Sequence, residues 1–162
     1  MIELGTWKGR SLCSIADVIK RKKIKVYGVD TFEGSFGEQL LRGDAKEHNI
    51  KEQFKSNIEK FGIEVEILAM TTNEASEKLK DIKFDLVFID ADHTNGAFKQ
   101  DLDNWLPKCK GIIAGHDYEL NDISQVVDKV FPNVDYTHCA SDPGRTTMWW
   151  RDLRKEPSKN IS

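Results

Sequence analysis

The sequence predicts an α/β protein built on a doubly wound, mostly parallel sheet. Three observations carry that expectation. Short β-rich runs alternate with helix-period segments at the spacing of strand–helix–strand units. Phe84-Asp85-Leu86-Val87-Phe88-Ile89-Asp90 is nearly continuous in apolar residues, as a central strand of a parallel sheet should be. The last two β-rich runs flank Ser141-Asp142-Pro143-Gly144, a turn signal that folds them into an antiparallel hairpin on that sheet. With 162 residues, 39% apolar and 31% charged, the chain reads as one domain that buries about two-thirds of its unfolded surface.

Met1 to Leu4 is a short apolar strand, Gly5 to Gly9 a turn, and Ser11 the start of a helix. Such a junction presents free N–H groups at a helix N-terminus, and glycine lets a ligand come close. Glu3, where the strand meets the turn, suits a cationic or hydroxyl-bearing ligand better than a pyrophosphate. Leu12, Ile15, Ala16 and Ile19 give one helix its apolar face, and Lys25 to Asp30 is a second strand ending in an acid. This completes a βαβ unit; such units are right-handed and bind ligands beyond the carboxyl ends of their strands. Glu3 and Asp30 both fall at such ends.

Thr31 to Asp44, with Gly34, Gly37 and Gly43 among Phe32, Phe36 and Leu40, reads as a long irregular loop of the kind that forms lids and binding loops. Ala45 to Phe61 is one helix with Ile50, Phe54, Ile58 and Phe61 on a common face, stopped by Gly62. Ile63 to Leu68 alternates as a strand, and Met70 to Asn73 supplies caps for a short helix, Glu74 to Leu79. The Phe84–Asp90 strand delivers Asp90-Ala91-Asp92-His93 to the carboxyl edge. Asn95 to Leu106 is helical, with Phe98, Leu102 and Trp105 or Leu106 inward, until Pro107. Gly111 to Gly115 is the next strand, ending in His116-Asp117-Tyr118, and Ile123 to Phe131 is a helix with Ile123, Val126, Val127 and Val130 inward. Val134 to Cys139 and Thr146 to Arg151 form the hairpin. Residues 1–151 make the domain, and the polar stretch 152–162 is expected to be a disordered tail.

Several classes drop out. No apolar run reaches about 18 residues, so no membrane span is expected. No charged-then-apolar leader precedes the first strand, which points to the cytoplasm. A net charge of -3 argues against a general nucleic-acid binder, and Arg21-Lys22-Lys23 suits a helix C-terminus. Cys13, Cys109 and Cys139 are odd in number and far apart, which suggests neither a zinc site nor a disulfide framework.

Glu3-x-Gly5-Thr6-Trp7-x-Gly9-x-Ser11, Val29-Asp30, Ile89-Asp90-Ala91-Asp92-His93 and Ala114-Gly115-His116-Asp117-Tyr118 together resemble the class I S-adenosylmethionine-dependent methyltransferases. The resemblance is to the small-molecule O-methyltransferase branch of catechol and macrolide-sugar type, with its cephalosporin-hydroxylase-like relatives. It runs from Glu3 to about Arg151 and implies a Rossmann-like sheet of seven strands in the order 3-2-1-4-5-7-6, the last antiparallel. The place where nucleobase-amine methyltransferases carry Asn-Pro-Pro-aromatic holds Asp90-Ala91-Asp92-His93 here, which favours oxygen chemistry. Trp7 replaces the middle glycine of a dinucleotide fingerprint, so an NAD-linked oxidoreductase is disfavoured.

The resemblance implies that Glu3, Gly5 and Gly9 line the methionine end of S-adenosylmethionine, that Thr71 and Thr72 lie beside the adenine, and that Asp90 borders the cofactor. Asp30 would accept from the ribose hydroxyls, a role that an acid at the second strand's end serves in nucleotide folds generally. A hydroxyl needs a general base or a metal to become nucleophilic near pH 7. The resemblance makes Asp90 and Asp117 ligands of Mg²⁺ or another divalent metal, with His116 or Tyr118 flanking the second acid where relatives carry a carboxylate or amide. His116 would move the preference towards Mn²⁺ or Fe²⁺. His93 is the candidate base.

The plainer alternatives are that Asp90 and Asp117 cap turns, that Asp92 caps the helix from Asn95, and that His93 is a surface residue. Relatives carry helices ahead of the first strand that cover the acceptor site. Their absence from this sequence leaves three alternatives: an open site, a wall from another subunit such as a second copy of the chain, or a wall from the Gly34–Gly43 loop. The expectation is therefore an O-methyltransferase acting on a small hydroxylated sugar or secondary metabolite. The alternative is a catalytically inactive S-adenosylmethionine- or nucleotide-binding module that a partner completes.

Overall fold

The computed structural model describes residues 1–35, 39–138 and 147–155, with His138 described by its backbone alone. In chain order the elements are β1 (Ile2–Leu4), α1 (Arg10–Ser14), α2 (Ala16–Lys22), β2 (Val26–Asp30), α3 (Gln39–Glu47), α4 (Ile50–Lys60), β3 (Val65–Ala69) and α5 (Thr72–Lys78). They continue with β4 (Phe84–Ile89), α6 (Asn95–Trp105), β5 (Cys109–Gly115), α7 (Asn121–Val130), β6 (Asp135–His138) and β7 (Thr147–Asp152). The seven strands form one sheet in the order β3-β2-β1-β4-β5-β7-β6, as expected. Pairing is parallel from β3 through β5, and β7 runs antiparallel to both β5 and β6.

Helices cover the sheet in two groups. One apolar cluster joins Leu4, Val29, Val87, Ile89 and Ile113 of the strands to Ala75 of α5, Phe98, Leu102 and Trp105 of α6, and Ile123 and Val127 of α7. A second joins Leu12, Ala16 and Ile19 of α1 and α2 to Phe54 and Ile58 of α4. Trp149 of β7 is wholly buried in the first cluster. The chain order reverses at β1, whose neighbours are β2 and β4, so the crevice expected of a doubly wound sheet opens there. No helix among the described residues is long and apolar enough to cross a membrane.

Several boundaries differ from expectation for identifiable reasons. The first helix breaks at Ile15, where Ser14 turns its hydroxyl back onto the Ser11 carbonyl (2.6 Å), a local bond that competes with helix continuation. The loop expected over 31–44 contains the start of α3, and the single helix expected over 45–61 is instead the end of α3 followed by α4. α3 buries none of its residues fully, and only its half-buried Ala45 packs on the second cluster, so the core leaves little mark on its sequence. Asn49 starts α4 anew by accepting the Glu52 N–H. Phe61 is 45% exposed, and Ile63 fills the core position assigned to it; Val130 is likewise exposed, and Phe131 is buried. β7 includes Asp152, and a 3-10 turn, Leu153–Lys155, follows it because the Asp152 carboxylate accepts from the Arg154 N–H and Nε. Phe36, Gly37, Cys139, the Ser141–Gly144 turn, Thr146 and residues 156–162 lie outside the described residues.

Candidate functional site

A cleft of about 1260 Å³ opens at the carboxyl ends of the central strands. Glu3, Gly5, Asp30, Thr71, Thr72, Asp90, His93 and His116 all line it, so most of the residues singled out in the sequence converge on one space. Gly9 and Asp117 stand behind its wall.

The turn after β1 explains its glycines. Gly5, Trp7 and Gly9 all adopt left-handed backbone, with φ of 82°, 45° and 79°. A side chain on Gly5 would overlap the Asp90 carbonyl, so this glycine permits β1 and β4 to end side by side. A side chain on Gly9 would press on the Phe54 ring, so Gly9 serves the packing of α4 and does not face the cleft. Trp7 adopts the same left-handed conformation without glycine's freedom and rests half-buried on the second core cluster.

Two acids line this end. The Asp30 carboxylate accepts the N–H of Trp7 (2.7 Å) on one oxygen and of Phe32 (2.6 Å) on the other. Burial pushes its pKa up, and those backbone donors only partly offset the rise. Each oxygen keeps a lone pair for a further donor. Glu3 lies in the middle of β1, 2% exposed, with its carboxylate accepting from the Ser11 hydroxyl. Burial raises its pKa to about 8, with the nearby charges of Asp90 and Asp30 adding to the rise. Between them, the Thr6 hydroxyl is buried in the cleft wall without a hydrogen-bond partner. Two undercompensated acids and an unsatisfied hydroxyl in one wall fit a ligand carrying hydroxyl and ammonium donors.

The opposite end is a connected network. The Asp117 carboxylate holds His93 Nε2 at 2.8 Å on one oxygen and His116 Nδ1 at 2.9 Å on the other. Asp90 Oδ1 stands 3.7 Å and 3.8 Å from the same two nitrogens. Burial alone would raise the Asp117 carboxyl; hydrogen bonds from His116 and His93 outweigh it and hold it well below the usual carboxylate range. The bond to Asp117 correspondingly raises His116. Asp117 sits at φ 58°, in the turn that puts its carboxylate between the imidazoles. That turn is tied to β7 by the Tyr118 N–H on the Thr147 carbonyl and the Thr147 N–H on Glu119.

Asp90, His93 and Asp117 can each offer a ligand atom within 4.8 Å of the others, a spacing that fits one cation. His116, the ligand expected from the sequence, stands beside this group at nearly the same distances from the two acids as His93 does. Asp92 instead accepts the Thr94 N–H, ahead of α6. Thr71 caps α5 in a reciprocal pair with Glu74, and Thr72 opens that helix at the cleft wall. The sequence reading passed over Asp101, a 3% exposed acid in the cleft wall. Its signal was an acid directly beside Leu102 on the inward stripe of α6.

Residues 2–118 match a family model described as a methyltransferase domain. None of the curated proteins matches the sequence. Among solved structures, the fold is similar to an rRNA methylase from Streptococcus thermophilus (12% identity, TM-score 0.62, 94% of this chain and 85% of that one). It is similar to the O-methyltransferase NovP (16%, 0.63, 93% and 71%). It is also similar to the O-methyltransferase from Bacillus cereus in complex with SAH (19%, 0.62, 92% and 71%). At these identities the likeness is one of fold. The family match over most of the chain, on a sheet with this strand order and this cleft, makes the protein a member of the methyltransferase-domain family, a class I S-adenosylmethionine-dependent methyltransferase.

Proposed function

We propose that the protein transfers a methyl group from S-adenosylmethionine to a hydroxyl of a small molecule, a sugar or a secondary metabolite. The observation that carries this reading is the His93–Asp117–His116 network at the cleft wall, a proton-accepting device suited to oxygen chemistry. Bound S-adenosylmethionine supplies an electrophilic sulfonium methyl. Asp30 accepts from the ribose hydroxyls, Glu3 and Gly5 border the methionine portion, and Thr71 and Thr72 border the adenine.

Asp117 stands 2.8 Å from His93 Nε2 and orients the imidazole that serves as the base in this reading. The acceptor hydroxyl gives its proton to the His93 imidazole as its oxygen takes the methyl group. S-adenosylmethionine would supply the methyl group and leave as S-adenosylhomocysteine, and His93, protonated by the acceptor hydroxyl, would return that proton to water. Asp117, held ionised, stabilises the imidazolium throughout. General-base help of this kind is worth about 10²- to 10⁴-fold.

The spacing of Asp90, His93 and Asp117 favours a second reading, in which these residues hold a divalent cation. Such a cation supplies a Lewis acid for the acceptor hydroxyl. A His ligand favours Mn²⁺ or Fe²⁺ over Mg²⁺. The two readings use His93 differently, and one titration separates them. S-adenosylhomocysteine is titrated calorimetrically against the protein, with NAD⁺ as control, first with EDTA and then with Mg²⁺ or Mn²⁺. Micromolar binding of S-adenosylhomocysteine that is lost in Asp30→Ala supports the cofactor site. Heat from the metal that disappears in Asp117→Ala supports the cation. Absence of S-adenosylhomocysteine binding in every condition overturns the enzyme reading in favour of a module that a partner must complete.

A further inference from the structure

Asp117 works from a strained position. Its backbone lies in the left-handed region at φ 58°, and that turn brings its carboxylate to 2.8 Å from His93 Nε2 and 2.9 Å from His116 Nδ1. Residues in sparsely populated backbone regions persist only where their surroundings over-determine them. Whatever holds Asp117 is therefore part of the site, even where it stands outside the cleft.

The hold comes through the next residue. The Tyr118 N–H donates to the Thr147 carbonyl of β7 at 3.1 Å, and the Leu120 N–H closes the turn on the Asp117 carbonyl at 2.9 Å. The Tyr118 side chain adds ties to other elements. Its hydroxyl donates to Asp128 Oδ1, in the latter half of α7, at 2.6 Å. Its ring stacks on Tyr136 of β6, with centroids 5.2 Å apart and planes 29° from parallel. The side chain also packs on the first core cluster. Tyr118 thus joins α7, β6, β7 and the core, and the peptide between it and Asp117 has little room to turn. Misplacing a reacting group by about 1 Å can cost on the order of 100-fold in rate.

We infer that Tyr118 is a positioning residue for methyl transfer: its hydroxyl on Asp128 and its ring on Tyr136 lock the left-handed turn that sets the Asp117 carboxylate between His93 and His116. The inference rests on the reading of that network as the proton-accepting device. Asp128 and Tyr136 stand outside the cleft and act through Tyr118.

The test is single-turnover methyl transfer by the full chain from labelled S-adenosylmethionine to a panel of hydroxylated sugars and phenols, followed with the member that wild type methylates fastest. Wild type is compared with Tyr118→Phe, Asp128→Ala, Asp128→Asn and the double variant Tyr118→Phe/Asp128→Ala. Circular dichroism checks that each is folded, and calorimetry gives its affinity for S-adenosylhomocysteine. Tyr118→Phe and Asp128→Ala should each slow transfer by about tenfold or more, with that affinity within about threefold of wild type. Asp128→Asn keeps an oxygen that accepts the hydroxyl, so its rate should stay within about threefold of wild type. The double variant should be no slower than the slower single one, because both changes remove the same bond. Asp128→Ala decides the matter if Tyr118→Phe does not fold. A bond that only braces α7 would lower stability and leave the transfer rate alone. Unchanged rates in the folded variants, affinity lost in step with rate, or Asp128→Asn as slow as Asp128→Ala overturns the inference and leaves the network standing. If wild type binds S-adenosylhomocysteine but methylates no member of the panel, or does not bind it, the reading of the network falls and the inference with it.

Discussion

The two ends of the cleft treat carboxylates in opposite ways. At the β1–β2 end, Glu3 and Asp30 have their pKa values raised by burial, and the ion pairs among the described residues include neither. At the β4–β5 end, Asp117 is held far down by two imidazoles, one on each oxygen. The first end is unfinished without a ligand: beyond the Ser11 hydroxyl and two backbone N–H groups, its acids gain further partners only when hydroxyl or ammonium donors arrive. The second is finished in advance, with the orienting acid ionised and both histidines fixed. A binding site can leave the last hydrogen bonds to the ligand, whereas a site that moves protons works best when its geometry costs nothing at the moment of reaction. On this contrast, changes at the β4–β5 end should alter rate, and changes at the β1–β2 end should alter affinity and the pH dependence of folding.

The largest break in that contrast is His93→Gln. Methyl transfer to an acceptor found by screening hydroxylated small molecules with labelled S-adenosylmethionine should fall by about 10²- to 10⁴-fold, with binding of S-adenosylhomocysteine within threefold of wild type. An equal loss of affinity and rate would erase the division between the two ends. Asp117→Asn is next. Asparagine tolerates the left-handed turn at φ 58°, so the backbone is kept while the charge is removed. The His116 pKa, raised by Asp117, should fall in an NMR titration, and turnover should drop by about 10- to 1000-fold.

Glu3→Gln tests the unfinished end. The Glu3 pKa is about 4.5 in the unfolded chain and about 8 when folded, so between those values the native state holds the extra proton. Stability from this group is therefore complete below the unfolded value and is lost as pH rises through about 8. Glutamine cannot ionise, so the variant should gain on wild type by about 2 kcal/mol or more between pH 5 and pH 8.5 in urea unfolding. A constant difference across that range would mean that the carboxyl does not change its charge on folding.

The sequence made the fold legible because its strands are short and strongly marked. The apolar run of β4 and the acid-terminated strand β2 place the crevice, while the order of the strands came from the resemblance to the methyltransferase family. The β4–β5 end was half legible: Asp90, His93, His116 and Asp117 stand out at strand ends, but their pairing depends on the left-handed turn at Asp117, which no periodicity reports. α3 was hidden because it buries no residue fully. Gly9 was misplaced because a glycine shows that space is tight without showing what fills it; Phe54, forty-five positions along the chain, does so. Asp101 was overlooked because an acid next to a leucine on a helix reads as surface until the helix is docked.

The smallest expected effects lie at two left-handed positions, one in the turn after β1 and one at the end of α2. Trp7 and Lys23 both carry left-handed backbone without being glycine, at φ 45° and 51°. That conformation costs an ordinary residue about 1 kcal/mol relative to glycine. Lys23 is the exposed C-cap of α2, where the N–H closes the helix and the side chain packs on nothing buried. Lys23→Gly should therefore stabilise the protein by about 0.5–1 kcal/mol, read as a rise in the urea midpoint. Trp7 differs because its ring rests on the second core cluster and lines the cleft. Trp7→Gly relieves the same strain but gives up that contact, so its net effect on stability should lie within about 1 kcal/mol of zero. Its affinity for S-adenosylhomocysteine should nonetheless fall, since the Trp7 N–H that positions Asp30 then sits on a freer backbone. A stability gain in Trp7→Gly as large as that of Lys23→Gly, with affinity intact, would show that the ring contributes neither to packing nor to the site.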